Sequence, residues 1–128
     1  MRSRHNDVPS IQTFAVLNFI LAAFCLMWLM FILAILVFGV TLSGDQGEEL
    51  LHGALGCFVL ASPALAGLPL YLAAGFGLKR RTVWGFFCHC GGALLAALSC
   101  IGMIYTVIAL VGALQRDFYA AFFPSTDD

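Results

Sequence analysis

Three long stretches of this chain, residues 8–44, 50–78 and 82–115, contain no Asp, Glu, Lys or Arg. Only 10% of the 128 residues are charged, whereas 62% are hydrophobic. A soluble domain carries about 25% charged residues, and a small one has much surface to cover. Six basic and seven acidic residues cannot cover it. The apolar excess must therefore face something other than water, and lipid fits. The net charge of −1 gives no electrostatic footprint for nucleic acid, so no such partner is expected.

Other absences narrow the function. Proton pumps and ion-coupled carriers place ionised groups inside the membrane, and none of the three stretches holds one. Disulfide scaffolds put cysteines in short polar chains. Here Cys25, Cys57, Cys88, Cys90 and Cys100 all fall in apolar runs and read as small packing residues. A removable signal has an apolar core of about 7–15 residues and a small-residue cleavage site. The run from Phe14 to Val40 is far longer and lacks Ala-x-Ala at its end, so it reads as an anchor. There is no internal repeat or low-complexity tract, and no constellation of nucleophile, base and acid. The chain is not expected to be an enzyme or to carry a cofactor.

What is present predicts an all-α membrane protein: one transmembrane domain of three helices over residues 14–40, 50–78 and 83–114. Each exceeds the roughly 20 residues a span requires. The third interval reads as one long helix, being too short for two full spans and a loop. Arg2 and Arg4 precede the first span, and Lys79, Arg80 and Arg81 join the second to the third. The first connection carries only Asp45, Glu48 and Glu49. The positive-inside rule then puts the amino terminus and the basic turn in the cytoplasm and the carboxyl terminus outside. Asp45-Gln46-Gly47-Glu48 has capping-box spacing. Trp84, Phe86 and Phe87 would form an inner aromatic belt. Phe118, Tyr119, Phe122 and Phe123, ending at Pro124, would form an outer interfacial segment.

Helices in lipid associate through small residues and a few hydrogen bonds. Gly85, Gly92, Ala96 and Cys100 recur at steps that share one face of the third span. Pro63 and Pro69 lie near the middle of the second span and should kink it, freeing the Val59 and Leu65 carbonyls. Ser62 is positioned to satisfy one of them. Asn18 and His89 lie at similar depth in spans one and three, and a contact between them would pin those helices by about 1 kcal/mol.

Cys88-His89-Cys90 is the one cluster with metal-ligand chemistry. Neighbouring helical residues point about 100° apart, so the three converge poorly, and zinc and haem spacings are absent. Glu48 and His52, four apart, read as helix capping and solvation rather than an acid–base pair.

Val16-Leu-Asn18-Phe-Ile and Ala74-Gly75-Phe-Gly77-Leu78-Lys79-Arg80-Arg81-Thr-Val-Trp84-Gly85 resemble segments of small multi-pass bacterial membrane proteins of unknown function. There a Gly-x-Gly-Leu span end meets a basic turn and a Trp-Gly start. The chain departs from that pattern at Phe86, where Arg often stands. The resemblance covers about 30 residues and implies an inner-membrane location without a known activity. Expected partners are the bilayer and either other membrane subunits or further copies of the chain. The leading expectation is a structural or interaction subunit of a larger membrane complex. The alternatives are a small oligomeric channel or carrier using the proline segment, and a metal- or haem-binding subunit.

Overall fold

Long charge-free runs favour helix because only internal hydrogen bonding satisfies backbone groups away from water. A computed structural model of the chain describes residues 9–42, 47–98 and 100–124. Among these there are only helices and their connections: α1 Pro9–Leu42, α2 Gly47–Lys79, α3 Val83–Ala96, α4 Cys100–Ala113 and α5 Arg116–Phe122. The expected capping box straddles residues outside this description. The side chain of Cys100 does too.

Two helices, α1 and α2, are long and apolar enough to cross a membrane. They pack antiparallel, with Phe19 against Phe76 near one end and Trp28 donating to the Leu60 carbonyl at 3.1 Å further along. Large side chains along α1, such as Phe24, Met27, Phe31 and Phe38, are exposed.

The α2–α3 connection is closed by local chemistry. Thr82 N–H bonds the Gly77 carbonyl at 3.0 Å and Arg81 N–H the Leu78 carbonyl at 3.1 Å. This is the paired C-terminal motif that needs a left-handed residue, and Arg81 supplies it at φ 53°. The Thr82 hydroxyl then caps α3 by accepting from Gly85 N–H at 3.2 Å. Across the turn, Gly77 and Gly85 bring their backbones into contact, and a Cβ on either would collide with the other.

The expected single third helix is replaced by two short ones. Three residues, 97–99, separate α3 from α4. The Thr106 hydroxyl of α4 is shared between the carbonyls of Ala93 and Gly102. Residues 13 apart on one straight helix would be about 20 Å apart, so the chain has doubled back. Ala93 and Ala109 are fully buried, and such small residues let two helices approach closely. The sequence length excludes two full spans, but it accommodates two 14-residue helices of roughly 21 Å each.

This reversal moves the carboxyl end. Phe86, at the start of α3, lies with its ring centroid 5.6 Å from Phe122 and 5.3 Å from Phe123. Phe14 of α1 lies 5.7 Å from Phe118. The aromatic tail expected at the far side therefore packs beside the basic turn and the start of α1. Ile11, Phe14, Leu78, Phe86, Ala109, Phe118 and Phe122 form the core at this basic end.

Candidate functional site

The basic-end core encloses a polar cluster. Asn18 Nδ2 donates to the Phe14 carbonyl at 2.7 Å and lies 3.0 Å from His89 Nδ1. A carbonyl only accepts, so the amide atom facing Phe14 is the nitrogen, and its second hydrogen goes to the ring. His89 Nδ1 is then the acceptor, and the neutral imidazole carries its proton on Nε2. Both residues are fully buried. The Phe14 and Phe118 rings, 5.1 and 6.1 Å from the imidazole, close over it.

Three more side chains join the interior. Tyr71 donates to the Gly92 carbonyl at 2.9 Å. Thr106 ties α4 to α3 as described above, and Tyr105 brings a further buried hydroxyl. Asn18 Oδ1, His89 Nε2 and the Tyr105 hydroxyl make no close, well-aligned hydrogen bond among the described residues, although the Tyr105 hydroxyl is within interaction range of Asn18, and the imidazole is within that of the Ala109 carbonyl. In an apolar interior a polar group without a good partner is costly. Sequence reasoning missed Tyr71, Tyr105 and Thr106. Their signal was a hydroxyl inside an apolar run, which is shared by Thr41 and Ser62 at the surface.

A cleft of about 990 Å³ lies between α1, α2 and Leu95, Ala96, Leu98, Gly102 and Tyr105. Trp28, Phe31, Pro63, Leu98 and Tyr105 line it. Its walls carry no charged residue.

The remaining expected residues are distributed as follows. Gly85, Gly92 and Ala96 are buried in α3. A Cβ on Gly92 would meet the Tyr71 ring at 2.9 Å. Cys100 opens α4 instead of continuing their face. Pro63 and Pro69 lie inside α2, which continues through both, and Ser62 Oγ donates to the Val59 carbonyl at 2.8 Å. Cys88 is buried and Cys90 half-buried. Among the described residues no three His, Cys, Asp or Glu side chains gather into a metal-ligand set, and His89 Nδ1 is already engaged. Glu48 and His52 are exposed at the start of α2.

No known protein family, curated protein or solved structure matches the chain. The polar cluster has one imidazole, hydroxyls and an amide, with no adjacent carboxylate or cation among the described residues. Its main capacity is to lock α1, α3 and α4 together.

Proposed function

We propose that the chain is a non-catalytic subunit of the bacterial inner membrane that works by packing against other membrane helices. In this reading α1 and α2 span the bilayer and the α3–α4 hairpin is re-entrant. Helices of roughly 21 Å are shorter than the hydrocarbon thickness of about 30 Å, and their polar groups are buried in protein, as embedded hairpins require. In this reading the amino end is cytoplasmic, as the basic turn favours, and the carboxyl end, with α5 packed beside that turn, lies on the same side.

The observation that carries the subunit role is an open glycine surface away from the hairpin. Beyond their own helix backbone, Gly53 and Gly56 have no atom within 4 Å of a hypothetical Cβ, whereas Gly77, Gly85 and Gly92 are filled by neighbours. Small residues in lipid support close helix approach. The hairpin covers only the basic half of the α1–α2 pair, so the other half is left for a partner helix or a second copy. Purification in mild detergent followed by native mass tests this. A complex that Gly53→Leu and Gly56→Leu dissociate, with helicity unchanged, is the expected result. A monodisperse single chain would contradict it.

A second reading is an oligomeric carrier, favoured by the apolar cleft beside Pro63. Vesicle flux that is sensitive to Pro63→Ala would support it.

A further inference from the structure

The basic end gathers charge that the sequence alone spreads over two connections. Lys79, Arg80 and Arg81 are exposed in the α2–α3 turn. The doubled-back hairpin adds Arg116, exposed at the start of α5. Asp117 is the one carboxylate among the described residues of this end, because Glu48 and Glu49 open α2 at the other. Among the described residues, four cations thus share this end with Asp117.

Aromatic residues surround these cations. Trp84 and Phe87 are exposed on α3, and Tyr119 is exposed on α5. Tyr119 stacks on Phe123 with centroids 4.7 Å apart, and Phe123 lies 6.3 Å from Phe87. The aromatic rim and the cations therefore belong to one surface. Amphipathic rings settle at the headgroup level of a bilayer, and exposed cations there attract anionic lipid.

We infer that this end is a binding surface for anionic phospholipid headgroups, built jointly by the α2–α3 turn and α5. The inference rests on the membrane placement proposed above, but not on the subunit role. Arg116 is the decisive residue, since it shares this surface only if α4 returns to the basic end. Each juxtamembrane cation is worth about 1 kcal/mol, which corresponds to roughly a five-fold change in lipid preference per charge.

The test uses the full chain as Trp28→Phe, leaving Trp84 as the only tryptophan, in vesicles of phosphatidylcholine with increasing phosphatidylglycerol. Brominated acyl chains on one lipid or the other quench Trp84. Quenching by both lipids reports insertion, and the ratio reports preference. The expected result is a several-fold preference for phosphatidylglycerol that falls about five-fold in Arg116→Gln. It should also weaken with salt. Arg116→Gln leaves the Lys79–Arg81 orientation signal intact. Equal quenching by the two lipids would overturn the inference. So would an unchanged preference in Arg116→Gln, or a preference abolished by inorganic phosphate at constant ionic strength. The last outcome would mark a site for the free anion. Loss of quenching by both lipids would instead refute the membrane placement.

Discussion

Asn18 and His89, 71 residues apart in the chain, meet through a single hydrogen bond of 3.0 Å that joins α1 to α3 in a fully buried setting. The same amide nitrogen holds the Phe14 carbonyl, so one side chain fixes both its own helix turn and its neighbour. Non-additivity is the expected signature. Asn18→Leu and His89→Phe should each destabilise by about 1–2 kcal/mol. The double variant should lose about 0.6–1.7 kcal/mol less than their sum. Unfolding in mixed micelles of mild detergent and dodecyl sulfate measures all three, and additive losses would remove the pairing.

Glycines should divide into two classes. Gly85→Ala drives a Cβ into the Gly77 backbone and should cost about 1–3 kcal/mol or more, because backbone cannot rotate aside. Gly53→Ala and Gly56→Ala meet nothing and should be neutral, or stabilising by up to about 1 kcal/mol through helix propensity. The same unfolding assay compares them. Equal costs at Gly85 and Gly53 would contradict the packing described.

Thr106→Val keeps the shape of the side chain but removes the hydroxyl that α4 shares with the Ala93 carbonyl. A loss of about 1 kcal/mol is expected, with Thr106→Ser retaining most of the stability. A neutral Val variant would mean that Thr106 does not hold the hairpin.

Thr82→Ala removes the α3 cap and should cost about 1 kcal/mol, and Thr82→Ser should restore it. Unfolding of the two variants side by side checks this, and indifference to both would place the start of α3 elsewhere.

The two long helices were legible because charge-free runs and helix ends are local features. The expected 14–40 and 50–78 became Pro9–Leu42 and Gly47–Lys79. Asn18 and His89 could be paired from depth alone, since polar atoms in apolar surroundings seek one another. The α3–α4 reversal was not legible. No proline and no polar run marks residues 97–99, and the reversal rests on the buried contacts of Ala93, Ala109 and Thr106, which are tertiary. Missing that reversal also misplaced Phe118 and Phe122, which pack on Phe86 and not at the opposite end.

In the proposed topology the hairpin returns the carboxyl end to the side of the amino end. Reporter fusions at the carboxyl terminus distinguish the two sides, using a fluorescent protein that matures only in the cytoplasm and a phosphatase active only outside it. Bright fluorescence and an inactive phosphatase are expected, matching fusions in the Lys79–Arg81 turn. An active phosphatase and a dark fluorescent fusion would show a third full span and contradict the hairpin.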